Sequence, residues 1–226
     1  MAFKKYALIT AGGTGKRMQS TIPKQFLILK DKPILIRTME IFHDVFPDLK
    51  FVIVLGRQYW KDWKTLCEKY DFHIEHQLAA GGGIRFQSVK NGLDAIDDDG
   101  LVAVHDGVRP LVSKAVIKNG FDLAEKYGNA VPCTMINESV RTLTGNQSRP
   151  VDRNQLRIIQ TPQVFKIKLI KDAYQAAYDP LFTDEATVLE SSGEKIHLFE
   201  GNPENIKITK PGDLLIARAL MSGINF

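Results

Sequence analysis

Apolar residues recur in short blocks along this chain, and the polar residues between them follow two different periods. Tyr6–Thr10, Phe51–Leu55, Leu101–His105 and Ala130–Thr134 are near-continuous apolar runs, the pattern of strands buried on both faces. His73–Gln77 and Ile196–Phe199 read as two further strands. After Pro33, at a plausible first helical position, Ile34, Leu35, Thr38, Ile41, Phe42 and Val45 share one helical face. Amphipathic stretches at Tyr59–Tyr70, Ile84–Ile96, Ser113–Tyr127, Ile167–Tyr178 and Asp213–Met221 predict five more helices. Strands alternating with helices predict an α/β, Rossmann-like three-layer fold with a mostly parallel central sheet. In such a sheet ligands bind beyond the carboxyl ends of the strands.

One segment breaks the alternation. In "ESVRTLTGNQSRPVDR", Glu138–Arg153, the residues Val140, Thr142 and Thr144 alternate before a Gly145-Asn146 turn signal, which predicts a β-hairpin. It carries little apolar surface to bury in its own chain. Either it projects as an arm, at about 137–155, that packs on a partner subunit, or it is a solvated surface hairpin. The length of 226 residues otherwise fits one domain, 1–226.

Composition narrows the ligand class. The chain is 44% hydrophobic and 25% charged, with a net charge of +4 and both signs interspersed. A nucleic-acid binder would concentrate its cations in a stripe, so small anions are the expected partners. Cys67 and Cys133 lie far apart with no metal-like spacing, as in a reduced, cytoplasmic protein. No apolar run reaches the length of a membrane span, and no signal-peptide pattern opens the chain.

Four places could carry chemistry. "TAGGTGKRM" follows the first strand, with Gly12, Gly13 and Gly15 ahead of Arg17 and Lys24 nearby in "PKQ". It lacks the third glycine of a dinucleotide loop, which disfavours a nicotinamide-dependent oxidoreductase, and it lacks the Gly-Lys-Ser/Thr of a P-loop. Its glycines still let backbone N–H groups approach phosphate oxygens. "GGGIRFQSV" places three glycines before a helix that contains Ser88; the alternative is a flexible connection with Arg85 exposed. "VHDGVRP" ends a buried strand in Asp106, which could hold Mg²⁺, with Arg109 as a bidentate phosphate partner; the alternative is an Asp–Arg pair ordering a turn. His105 reads as a structural histidine rather than a base. Finally "VDRN", "TPQVF", "TDEA" and "NIKIT" add Arg153, Thr161 and Lys207, while Asp184 and Glu185 are explained by helix capping.

In this order the segments AGG-x-G-x-RM, PKQ, GG-x-x-R-x-x-SV, VHD-x-x-RP, VDRN, TPQ-x-F, TDEA and NIK-x-T resemble the 2-C-methyl-D-erythritol 4-phosphate cytidylyltransferase family, from about Tyr6 to Leu220. The resemblance implies a nucleotidyltransferase fold, CTP and a sugar-alcohol phosphate as substrates, Mg²⁺, release of pyrophosphate, and a homodimer whose arms enter the neighbour's site. It implies that Ala11, Gly12, Gly13 and Gly15 hold the CTP phosphates, and that Gly82 and Ser88 touch cytosine and ribose. Arg17 and Lys24 match the pair that stabilises the transition state. Asp106 matches the carboxylate near Mg²⁺ and the acceptor, and Arg109 an acceptor-side contact. Arg153 and Lys207 match the pair positioning the acceptor, with Thr161 nearby and Arg153 arriving from the other subunit. Two departures stand out. Val140 occupies an arm position where many members carry threonine, and the glycine loop is one residue longer, as in ribitol-5-phosphate cytidylyltransferases, the alternative acceptor class. A non-catalytic nucleotide-binding regulatory domain is the other rival, against which the retained Arg17, Lys24, Asp106 and Lys207 argue.

Overall fold

The computed structural model describes residues 3–13, 18 and 22–223. Twelve strands, seven α-helices and three short 3-10 helices are defined among them. In chain order the strands and α-helices are β1 (Lys5–Thr10), β2 (Ile28–Leu29), β3 (Lys32–Pro33), α1 (Ile34–Val45), β4 (Lys50–Leu55), α2 (Trp60–Lys69), β5 (His76–Ala80), α3 (Arg85–Asp94), β6 (Leu101–Asp106), α4 (Lys114–Tyr127) and β7 (Asn129–Met135). There follow β8 (Val140–Thr144), β9 (Gln147–Val151), β10 (Arg157–Ile159), β11 (Gln163–Lys166), α5 (Ile167–Ala173), α6 (Glu185–Ser191), β12 (Leu198–Glu200) and α7 (Pro211–Gly223).

The main sheet runs β10-β7-β11-β6-β1-β4-β5, with β12 paired to β7. β1 is parallel to both β4 and β6, and β4 to β5; β11 enters antiparallel between β6 and β7. Side chains alternate between the two faces with the period of a strand. Ala7, Ile9, Phe51, Ile53, Leu101 and Ala103 pack with α1, α2 and α4, whereas Leu8, Val52, Val54, Val102 and Val104 pack with α3, α5 and α6. Those two apolar layers and the sheet between them are the predicted three-layer α/β arrangement.

Two local features fix the placing of α3 and the limits of α4. α3 lies so close to the sheet near its carboxyl end that a Cβ on Gly92 would sit 2.6 Å from Val54 Cγ2 and 2.8 Å from Leu8 Cδ1. α4 begins where the Ser113 side chain accepts from Val116 N at 3.2 Å and ends at Gly128, whose φ of +92° suits a residue without Cβ.

Most predicted elements are present, with shifted edges. β5 begins three residues later than the His73–Gln77 reading, because its register pairs Phe51 with His76 and Leu55 with Ala80. α1 begins at Ile34, with Pro33 at the N-cap. α5 stops at Ala173 rather than Tyr178. β10 and β11 were not anticipated: they are short, and Gln163 at the start of β11 is buried for its hydrogen bonds rather than as an apolar residue. The predicted hairpin is present as β8 and β9, paired Val140 to Val151 and Thr144 to Gln147 and forming a sheet of their own. Gly145 carries the turn with φ +57°. Nearly all of the hairpin is exposed, including Leu143 at 79%.

Candidate active site

The carboxyl ends of β1, β4, β5 and β6 open into a cavity of about 590 Å³. Its wall contains Ala11, Gly12 and Gly13 after β1, Gly56 after β4, Gly81–Gly83 after β5, Asp106 at the end of β6, and Lys24, Arg85, Ser88 and Lys207. A wider concavity, about 1150 Å³, lies at the opposite end of the same strands around Tyr6, Lys50 and His76; it receives neither the glycine loops nor the cation cluster. Ligands of open parallel sheets occupy the carboxyl end, and here the chemistry is gathered there.

The glycine loops are pinned by the sheet's own hydrogen-bonding pattern. Ala11 N donates to Val54 O at 2.8 Å and Gly81 N to Leu55 O at 3.0 Å, extending the ladder one residue past each strand. The chain between Pro23 and Leu27 makes a tight turn in which Phe26 stacks on Trp63 at 6.1 Å. Gln25, 1% exposed, reaches back to the Ala11 carbonyl at 2.7 Å. With the two residues after it buried in this way, Lys24 lies over the loop: a Cβ on Gly13 would lie 3.8 Å from Lys24 Cε. Ser88 Oγ donates to Ile84 O and accepts from Gly82 N, both at 3.0 Å, so the third glycine segment is tied to the first turns of α3. A Cβ on Gly12 would come within 3.8 Å of the same oxygen. Gly15 and Arg17 lie outside the described residues.

Asp106 is the only carboxylate in the cavity wall among the described residues. Its Oδ2 accepts from Arg109 Nε at 3.1 Å and pairs with Lys207 Nζ at 3.0 Å, and Arg85 Nη2 stands 3.8 Å from Oδ1. Burial pushes its pKa up, but Arg85, Lys207 and Arg109 hold it well below the usual carboxylate range. Three cations around one carboxylate leave positive charge for an anionic ligand.

Below Asp106 runs a chain of hydrogen bonds whose polarity the chemistry dictates. The Arg109 carbonyl can only accept, so His105 Nε2 donates to it, at 3.1 Å. Nδ1 therefore accepts from the Thr161 hydroxyl at 3.0 Å, and Thr161 Oγ1 accepts from Asp106 N at 3.1 Å. His105 is fully buried, and burial lowers its pKa to about 4. A neutral, doubly bonded imidazole is a structural part, as the sequence suggested. Thr161 thus supports the backbone of Asp106, and the Thr161 carbonyl accepts from Asn205 Nδ2 at 2.8 Å. Ile208 N donates to Val108 O at 3.0 Å, which lays the 205–209 segment beside the Asp106 loop and delivers Lys207.

Not every expected residue converges. Arg109 also donates from Nη1 to Asn205 O at 2.7 Å and does not line the cavity. Arg153 is exposed beside the hairpin, where it donates to the Asn137 carbonyl, away from the cavity of its own chain. Two residues were missed. Arg85 is not a solvated cation: it lines the cavity and pairs with Glu185 at 2.8 Å. Glu185 is 1% exposed, and burial pushes its carboxyl up from the usual range against the pull of Arg85. A cap-like "TDE" gave no sign of this; the buried pair joins segments 100 residues apart.

For a divalent cation the donor set is sparse. No group of three or more acidic, histidine or cysteine side chains stands ready to hold one among the described residues. One carboxylate suits Mg²⁺ that keeps its waters and arrives with phosphate oxygens.

Residues 6–223 match the model of a family described as 2-C-methyl-D-erythritol 4-phosphate cytidylyltransferase. A curated protein of that description from Bacteroides thetaiotaomicron is 47% identical over 218 residues, 96% of this chain and 100% of the relative. Among solved structures, the 4-diphosphocytidyl-2C-methyl-D-erythritol synthase of Anaerococcus prevotii superposes with a TM-score of 0.83 at 25% identity, covering 97% of this chain and 99% of that one. The 2-C-methyl-D-erythritol 4-phosphate cytidylyltransferase of Francisella tularensis gives 0.79 at 30% identity, covering 96% and 99%. With its motifs gathered at one cavity and this match along almost its whole length, the chain belongs to the 2-C-methyl-D-erythritol 4-phosphate cytidylyltransferases, the nucleotidyltransferases of non-mevalonate isoprenoid biosynthesis.

Proposed function

We propose that this chain joins CTP to 2-C-methyl-D-erythritol 4-phosphate by charge clamping, without a protein base. The acceptor phosphate, already an anion near neutral pH, attacks the α-phosphorus of CTP, and pyrophosphate leaves. Repulsion between two anionic reactants is the obstacle, and fixed positive charge with correct placement is the remedy. The observation that carries this reading is the convergence of Lys24, Arg85 and Lys207 with the glycine loops on one cavity around Asp106.

In this scheme Ala11, Gly12, Gly13 and Gly15 cradle the triphosphate, and Gly82 and Ser88 seat the nucleoside. Arg17 and Lys24 neutralise the phosphorus under attack. Lys207, with Arg109 and Thr161 behind it, orders the acceptor side. Asp106 would hold Mg²⁺, which supplies neutralisation of the phosphate charge. Arg153 is exposed at the base of the hairpin and does not line the cavity of its own chain, so its part in the site would come from a second subunit; we take the chain to act as a homodimer with the 137–155 segment as the crossing arm and 1–226 as one domain. Val140, without a hydroxyl, contributes no acceptor contact. No helix among the described residues is long and apolar enough to cross a membrane, and both cysteines are free, in keeping with a cytoplasmic reaction.

The test is pyrophosphate release with CTP against a panel of sugar-alcohol phosphates, including ribitol 5-phosphate. Turnover with methylerythritol phosphate far above all others is expected. Preference for ribitol 5-phosphate would overturn the acceptor, and silence with every acceptor would overturn the activity.

A further inference from the structure

Glu185 presents a question that helix capping does not answer. Asp184 already fills the cap of α6: its side chain accepts from Thr187 N at 3.0 Å, and Thr187 Oγ1 accepts from Asp184 N at 3.3 Å. The next residue is nonetheless a carboxylate with 1% of its side chain exposed. A buried ion pair contributes little net stability compared with apolar groups of the same volume. Its position relative to the cavity offers another reason for it.

Glu185 Oε2 accepts from Arg85 Nη2 at 2.8 Å, and Tyr174 Oη reaches Oε1 at 3.4 Å. On the other edge of the guanidinium, Nη1 reaches Thr10 Oγ1 at 3.4 Å. Arg85 is thereby gripped between the end of β1 and the start of α6, with part of its side chain open to the cavity. The same Nη2 stops 3.8 Å short of Asp106 Oδ1, beyond hydrogen-bond range. The other Asp106 oxygen already serves Arg109 and Lys207. Without Glu185, Asp106 would be the nearest carboxylate to Arg85, and a charge-assisted pair would form across the 3.8 Å gap.

We propose that Glu185 is a positioning residue of the transfer site: by gripping Arg85 it keeps the guanidinium in the cavity wall and off Asp106 Oδ1, leaving that oxygen free to take up the divalent cation that accompanies the nucleotide's phosphates. This rests on the cavity being the cytidylyl-transfer site. Arg85 shares the wall with Gly12, Gly13, Gly82 and Ser88, so its displacement acts on the nucleotide half of the reaction rather than on the acceptor half.

The test compares wild type, Glu185→Gln, Asp106→Asn and the double variant. CTP affinity is measured by calorimetry, kcat and both KM values by pyrophosphate release, and folding by thermal melting. Glu185→Gln is expected to lower kcat and to weaken CTP binding by about 10–100-fold, the range for groups that orient a site's ligands, with the acceptor KM nearly unchanged. In the Asp106→Asn background the same substitution should weaken CTP binding by no more than about threefold, since coupled residues are not additive. Wild-type CTP affinity in a folded Glu185→Gln, or full additivity with Asp106→Asn, would overturn the proposal. If Glu185→Gln does not fold, Arg85→Gln takes its place: weakened CTP binding supports the proposal, and wild-type binding overturns it. A wild-type enzyme that releases no pyrophosphate would instead sink the parent reading, an outcome distinct from both.

Discussion

Gln25 Nε2 donates to the carbonyl of Ala11 at 2.7 Å, so the glutamine of "PKQ" holds the first residue of the glycine loop. Both groups are buried. Replacing Gln25 by Leu keeps the bulk and leaves a buried acceptor without its partner, which costs about 1–3 kcal/mol. A lower melting temperature and a raised KM for CTP are expected together. A variant that melted lower yet bound CTP normally would show that the bond serves the fold alone.

Thr161 carries two hydrogen bonds with one oxygen, and the second of them fixes the Asp106 backbone. Thr161→Val leaves His105 Nδ1 and Asp106 N unsatisfied in a buried site, again about 1–3 kcal/mol for each. Thr161→Ser restores the oxygen and should recover most of kcat. Equal activities of the valine and serine variants would remove Thr161 from the support of Asp106.

The cations divide by position. Lys24→Ala, and Arg17→Ala at a position outside the described residues, should each lose on the order of 10²–10³ in kcat, the scale for removing a preorganised donor. Lys207→Ala and Arg153→Ala should mainly raise the KM for the acceptor while sparing CTP affinity. For Arg153→Ala, mixing with an active-site-dead Lys24→Ala chain gives a sharper reading. Activity regained in the mixed dimers is expected if the arm crosses between subunits; none is regained if it does not.

Burial pushes the Cys67 thiol up to about 11 from 9.0, and raises that of Cys133 as well. A raised thiol pKa favours the folded state below the unfolded value, and that contribution fades as pH climbs from about 9 toward 11. Since the thiolate is the nucleophile, alkylation of native Cys67 by iodoacetamide at pH 8 should be about 100-fold slower than in the unfolded chain, as a two-unit shift dictates. Comparable rates before and after denaturation would contradict the buried setting.

The central strands were readable because each is apolar on both faces: Phe51, Ile53 and Leu55 serve one layer, Val52 and Val54 the other. Where burial was one-sided or brief, the reading slipped. His73 and Ile74 lie ahead of β5, and only the pairing of Phe51 with His76 sets its start. β11 is four residues opened by a glutamine whose worth lies in bonds to Asp184 and Ala186, which no periodicity records. The site follows the same rule. Gly12, Lys24, Ser88, Asp106 and Lys207 announced themselves through local chemistry and share the cavity. Glu185 did not, since a capping turn explains an acidic residue and its partner Arg85 lies far back in the chain.

The cluster around Asp106 has a consequence for how the reaction would respond to its solvent. Arg85, Arg109 and Lys207 commit this carboxylate to its ionised form, and the one imidazole beneath it is sealed from the cavity with both nitrogens engaged. Neither group is placed to accept a proton at neutral pH. An enzyme so built moves charge without moving hydrogen, and its turnover should be nearly the same in heavy water as in light.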